Sequence, residues 1–162
     1  HTVADQAYIG AYQGIGVGYF NFGNPEELGN PLAVYLFQGG RIAQFSPRIS
    51  LNYEWNFGAS FGWKPYDEYD NPENQIIGSK VNAYLNVNLY LKWALSPKFD
   101  LMIGATGSHF SNGNTQYPNS GLNTVDCKVG LVYNFNRRAD ELAQSWQRPI
   151  VPPSPQIGRA HV

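Results

Sequence analysis

Charge is what this chain has least of. Asp, Glu, Lys and Arg make up 14% of its 162 residues, well below the usual quarter. The net charge is −1, so no basic surface is on offer to a nucleic acid, and none is expected as a partner. Cys127 is the one cysteine, which excludes an internal disulfide framework. Histidine is scarce too: His1, His109 and His161 are the full set. No run of about 18 apolar residues occurs, so no transmembrane helix is expected. The chain starts on His rather than Met and shows no signal peptide. Its last residues, 156–162 (QIGRAHV), read as a translated sequencing adapter, CAG ATC GGA AGA GCA CAC GTC. The chain is therefore expected to be a gene fragment truncated at both ends.

What is abundant is aromatic: 11 Tyr, 9 Phe and 4 Trp, beside 17 Gly. The mean hydropathy of −0.37 normally indicates a soluble protein. A membrane β-barrel gives the same average, because its polar lumen face cancels its lipid face. The pattern favours the barrel. From Arg48 to Lys64, Ile49, Leu51, Tyr53, Trp55, Phe57, Ala59, Phe61 and Trp63 share one parity, and Ser50, Asn52, Glu54, Asn56 and Ser60 the other. Period-2 alternation of this kind predicts a strand. At roughly 3.3 Å per residue it is about 50 Å long, far beyond the usual strand of a soluble domain. Trp55 and Trp63 are candidates for interfacial aromatic girdles. Residues 80–95 alternate in the same way. Residues 7–22 form a strand with one face of glycine, suited to a crowded small barrel. Residues 32–45, 99–111 and 122–135 complete about six strands.

The connections alternate in length. Long loops at 22–31, 65–78 and 112–121 take turns with Ser46-Pro47 and Ser96-Pro97. That asymmetry belongs to an outer-membrane barrel, with short periplasmic turns and long external loops. The expected fold is all-β, an antiparallel up-and-down outer-membrane β-barrel. Asp67, Glu68, Asp70 and Glu73 lie in the second long loop, but their spacing fits no defined metal loop, so a solvated surface is expected and no metal. Glu54, Lys80, Lys92, Asp126 and Lys128 fall on the lumen parity and read as an interior polar network. Lys128 to Phe135 (KVGLVYNF) resembles the terminal signal of outer-membrane proteins, with aromatics spaced by two and a final Phe. The expected organisation is a partial barrel at 1–135 and an extension at 136–155. The extension holds a short helix at 136–143 and a Pro-rich linker at 149–155, and adapter-derived residues follow at 156–162.

Polar residues on the lipid-facing parity stand out on this frame. His109, Ser111 and Asn123 all fall there, at the loop end of two adjacent strands. A serine hydroxyl needs a neighbouring base. Residues i and i+2 on a strand face point the same way, so His109 can approach Ser111. Asn123, across the hairpin, could orient the imidazole. Asn112 or a loop N–H could stabilise an oxyanion. Cys127 sits among apolar residues and reads as a small hydrophobe. A His-x-Ser pair alone is weak, because such residues at a strand end often just hydrogen-bond the loop.

His109-Phe110-Ser111-Asn112, then Pro118-Asn119, then Gly121-Leu122-Asn123, resembles the signature of the lipid A 3-O-deacylases (PagL type), also described as acyloxyacyl hydrolase-related. The resemblance implies an eight-stranded outer-membrane barrel, of which about six strands are visible here. It implies a serine esterase that removes an ester-linked acyl chain from lipid A, with lipopolysaccharide and outer-membrane lipid as partners and no cofactor. By the family's motif Ser111 matches the nucleophile, His109 the base and Asn112 the oxyanion-hole residue. The third position carries Glu in the family and Asn123 here. The site is expected at the external rim, facing the outer leaflet. One alternative is a non-catalytic outer-membrane barrel with a structural or lipopolysaccharide-binding role. Another is a soluble lipocalin-like barrel. Extraction separates the last from the rest: the protein should need detergent to leave a membrane pellet, and recovery in plain buffer would favour the lipocalin.

Overall fold

The computed structural model describes residues 10–137. The helix expected at 136–143 runs past that range, and the Pro-rich linker and adapter-like tail lie outside it. Six strands form: β1 (Tyr12–Tyr19), β2 (Gly29–Gln44), β3 (Ile49–Trp63), β4 (Val81–Ala94), β5 (Phe99–Ser111) and β6 (Leu122–Tyr133). They pair antiparallel in simple sequence order. This is the expected up-and-down arrangement. Among the described residues the sheet is not closed, and β1 and β6 are its edges.

The polarity is inverted relative to a soluble domain. Along β4, Asn82, Tyr84, Asn86, Asn88 and Tyr90 are buried, whereas Val81, Leu85, Val87, Leu89, Leu91 and Trp93 are exposed. Such an apolar outer face is stable only when lipid or protein covers it. The inner face pairs its polar groups largely with one another, as burial requires, although buried Asn56 Oδ1 has no partner among the described residues. Asn86 Nδ2 donates to Thr106 Oγ1 at 2.7 Å and to Ser108 Oγ at 2.9 Å, while Asn86 Oδ1 accepts from Asn56 Nδ2 at 2.9 Å. Lys128 Nζ sits 3.1 Å from Glu54 Oε1. Tyr12 Oη donates to Glu54 Oε2 at 2.9 Å and also bonds the Tyr90 hydroxyl. The glycines of β1 make room for rings: a Cβ on Gly16 would fall 2.3 Å from Tyr35 Cε2, and one on Gly14 2.5 Å from Phe37 Cζ.

Trp63 departs from the sequence expectation. The strict alternation puts it outside, yet it is buried. Gly62 takes φ +87°, a left-handed conformation that glycine adopts without penalty. The β2–β3 register also shifts between Gly29 and Leu32. This irregularity turns the indole inward, where its Nε1 donates to Ser60 Oγ at 2.9 Å. Trp55 stays outside, as expected.

The inward Trp63 joins an aromatic core at the long-loop end. Phe110 is fully buried, and its ring centroid lies 5.1 Å from those of Phe20, Trp63 and Tyr84 and 5.6 Å from that of Phe22. Leu28 and Ile77 bring the first two long loops onto this cluster. The acidic loop is thus more ordered than its composition suggests. Buried Asn74 accepts from the backbone N–H groups of Ile76 and Ile77, both at 3.0 Å, and donates to the Lys64 carbonyl at 2.8 Å. Its acids stay outside. Asp67 Oδ1 accepts from the Tyr69 and Asp70 N–H groups at 2.9 and 3.0 Å, and these bonds hold its carboxyl below the ordinary Asp value. The turn is therefore strengthened above the ordinary Asp range and weakens as pH falls through the lowered pKa.

At the opposite end, Ser46 and Ser96 tie the short turns by accepting backbone N–H groups. Arg137 reaches back to buried Asp100, with Nη2 2.7 Å from Oδ1 and Nη1 donating to Oδ2 at 2.8 Å.

Phe110→Ala would empty the centre of the aromatic core. It should lower unfolding stability by about 3–5 kcal/mol, read from urea unfolding in lipid vesicles, while a wild-type midpoint would mean that the cluster is not load-carrying.

Candidate functional site

The pleat of β5 sorts three consecutive residues. Phe110 goes inward and His109 and Ser111 go outward, because successive side chains on a strand alternate faces. The ladder then fixes their neighbours. His109 pairs with Leu85 of β4 and Asn123 of β6, and Ser111 pairs with Ala83. All the sequence-predicted residues therefore meet at the long-loop end of the β5–β6 hairpin, with His109, Ser111 and Asn123 on the outer face.

His109 Nδ1 lies 2.7 Å from Asn123 Oδ1. An amide oxygen can only accept, so Nδ1 carries the proton. In a neutral imidazole that leaves Nε2 unprotonated, the form a general base requires. The residue directly across a ladder pair is in reach of a short bond, which is why Asn123 arrives here without loop rearrangement. No hydrogen bond joins Ser111 Oγ to His109 among the described residues. Catalytic hydrogen bonds are often long without substrate and tighten on binding.

Asn112 is the first residue beyond β5. Its Nδ2 donates to the Gln116 carbonyl at 2.8 Å, and its Oδ1 accepts from the Asn114 N–H at 3.0 Å. One amide proton thus shapes the loop, and the second is left for another acceptor. Asp126 is on the inner face, paired with Thr106, and does not meet His109. Cys127 is exposed on the outer face, opposite Ala105. Among the described residues no cluster of three or more His, Cys, Asp and Glu side chains is placed to hold a metal.

Residues without an assigned role in the sequence reading complete the arrangement. Gly121 has φ +69°, and a Cβ there would lie 3.2 Å from both His109 Cε1 and the Phe110 carbonyl oxygen. Only a glycine lets the returning chain pass so close to the imidazole. Gly78 does the same for the loop, since its Cβ would fall 2.6 Å from the Pro118 carbonyl. Ser120 Oγ donates to the Gln75 carbonyl at 3.2 Å. The second and third long loops therefore brace each other beside Ser111. Phe110 anchors the site from within. The glycines were visible as letters, but their clearances depend on which loops meet.

The model of one family, lipid A 3-O-deacylase (PagL), matches residues 6–132. This chain belongs to the PagL family. No curated protein and no solved structure matches it. PagL proteins are outer-membrane β-barrels and ester hydrolases acting on lipid A. The exposed apolar face of β1–β6 is accordingly its lipid-facing surface, and the polar patch of His109, Ser111 and Asn123 interrupts that surface.

In the wild type, the ring nitrogens of His109 should show a single Nδ1–H tautomer by nitrogen NMR in micelles at a pH where the ring is neutral. Asn123→Ala should replace it with a tautomer mixture. An unchanged spectrum would mean that Asn123 does not orient the ring.

Proposed function

We propose that this protein is an outer-membrane serine esterase that removes an ester-linked acyl chain from lipid A, with a Ser-His-Asn site of Ser111, His109 and Asn123. The observation carrying this reading is the 2.7 Å contact between His109 Nδ1 and Asn123 Oδ1 beside an outward serine, in a PagL-family chain. The site interrupts the lipid-facing surface at the long-loop end. In the family's orientation that end is the external rim, where lipid A lies.

The chemistry follows from the geometry. Ser111 Oγ attacks the ester carbonyl as His109 Nε2 takes its proton. The carbonyl electrons move onto oxygen, where the remaining Asn112 amide proton and loop N–H groups offer donors. The tetrahedral intermediate then expels the sugar alkoxide, which recovers the proton from His109. Water, deprotonated by His109, attacks the acyl-enzyme; the second tetrahedral intermediate expels Ser111 Oγ, which takes the proton back from His109, and the fatty acid leaves. No group beyond the chain is required.

Asn123 is the distinctive member. Replacing the acid of a serine triad by Asn costs about 10⁴-fold in kcat where the amide enforces the wrong tautomer. Here its carbonyl faces Nδ1, so the tautomer is retained. What is missing is negative charge beside the imidazolium as it forms. That absence favours a second reading, in which the site is silent and the barrel binds lipopolysaccharide without cleaving it.

Mass spectrometry of lipid A decides between them. Outer membranes carrying this protein should contain lipid A short of one ester-linked acyl chain. Ser111→Ala should abolish the change, by on the order of 10³-fold or more in rate. An intact acyl pattern with well-folded wild-type protein would establish the non-catalytic reading. Asn123→Glu should raise the rate about 10-fold or more if the missing charge limits turnover, since each 1.36 kcal/mol off the barrier is tenfold.

A further inference from the structure

The two short turns are built to one plan. Phe45-Ser46-Pro47-Arg48-Ile49 joins β2 to β3, and Leu95-Ser96-Pro97-Lys98-Phe99 joins β4 to β5. The Phe45 N–H donates to the Ile49 carbonyl at 2.9 Å, and the Leu95 N–H to the Phe99 carbonyl at 2.9 Å. Ser46 Oγ accepts from the N–H groups of Arg48 and Ile49 at 3.2 and 3.1 Å, and Ser96 Oγ from those of Lys98 and Phe99 at the same distances. Serine and proline thus close each turn without help from the side chain that follows them. That position nevertheless carries a cation in both turns, Arg48 and Lys98. Both are exposed, and neither has an ion pair or a side-chain hydrogen bond among the described residues.

Their surroundings say what would meet them. Phe45, Trp93, Phe99 and Tyr133 are exposed at this end of the sheet, and the Phe99 and Tyr133 rings pack edge to face with centroids 5.1 Å apart. Such a belt sets the level of a membrane–water interface, so Arg48 and Lys98, just beyond it, come to lie among lipid headgroups. The Arg48 carbonyl accepts from the Ala94 N–H at 2.8 Å. This holds the two turns side by side, two strand spacings or roughly 10 Å apart, and long side chains can converge across that gap. The one described acid at this end, Asp100, is buried and held by Arg137, so it does not neutralise them. The long-loop end has the opposite sign, with Glu26, Glu27, Asp67, Glu68, Asp70 and Glu73 against Lys64 and Lys80.

We propose that Arg48 and Lys98 form a docking site for the headgroup of an anionic glycerophospholipid in the leaflet at the short-turn end. The aromatic belt fixes the depth, and the paired cations select a net negative headgroup over a zwitterionic one. Arg in one turn and Lys in the other fits recognition of charge rather than of a bidentate shape. The acidic loops at the far end confine the preference to this one. Docking depends on the membrane-barrel fold and not on ester hydrolysis.

Quenching of Trp93 tests this, because its indole neighbours Ile49, next to Arg48, in the ladder. The full chain carrying Trp55→Phe and Trp146→Phe is reconstituted in phosphatidylcholine vesicles, with Trp63 buried away from lipid. It is then titrated with phosphatidylglycerol or phosphatidylcholine brominated in the acyl chains. Phosphatidylglycerol should associate about 10-fold more strongly at low salt, and the preference should shrink below about 2-fold in about 0.5 M salt. Arg48→Gln with Lys98→Gln should abolish the preference, and Arg48→Lys with Lys98→Arg should keep it. Lys64→Gln with Lys80→Gln, which removes the same charge from the other end, should leave it unchanged. A preference below about 2-fold at low salt overturns the proposal. So does an equal loss on substituting Lys64 and Lys80, which would mean diffuse attraction. Glycerol 3-phosphate at millimolar concentration should not relieve the quenching; relief would mean a site for soluble phosphate and would overturn the lipid assignment. The salt comparison is made on unsubstituted turns, so it decides the matter even if a turn substitution blocks folding.

Discussion

The alternation of one strand underlies this site. His109, Phe110 and Ser111 are consecutive, so the pleat commits them to opposite sides of the sheet. Phe110 is held in the aromatic core by Phe20, Phe22, Trp63 and Tyr84. A one-residue slip would expel that ring and bury two polar groups in its place. The packing that stabilises the long-loop end and the outward display of His109 and Ser111 are therefore one constraint. The ladder extends it to Asn123, which meets His109 because β6 is in register.

The inside of the sheet is polar and hydrogen-bonded across its strands, and the outside is apolar with one polar interruption. A soluble enzyme places its nucleophile in a cleft open to water. Here Ser111, the proposed nucleophile, is on the apolar outer face, which suits a substrate that is itself part of the membrane.

Asn123 joins the two halves of the functional argument. Its carbonyl meets His109 Nδ1, so in the proposed site it takes the orienting role of a triad acid but brings no charge. An imidazole held in the correct tautomer can accept a proton, yet its cation gains less stabilisation from a neutral amide than from a carboxylate. The difference bears on rate rather than on the order of steps.

Strand positions, the outward parity of His109, Ser111 and Asn123, and the two short turns were all legible in the sequence. Each depends on a period of two and on Ser-Pro or Gly/Asn/Pro punctuation, which are local properties of the chain. Trp63 was misplaced because one positive φ at Gly62 and a register shift in β2 reverse the parity, and neither leaves a mark in an alternating string. The order of the 65–78 loop was hidden for a related reason: Asn74 is polar in the sequence but buried by carbonyls from distant residues. The clearance at Gly121, the bracing at Gly78 and the vacancy at Gly107 belong to the same class. A glycine's letter is identical whether it is needed for φ, needed for a neighbour, or, as at Gly107, neither. Only the tertiary structure distinguishes these, because the deciding atoms come from other strands.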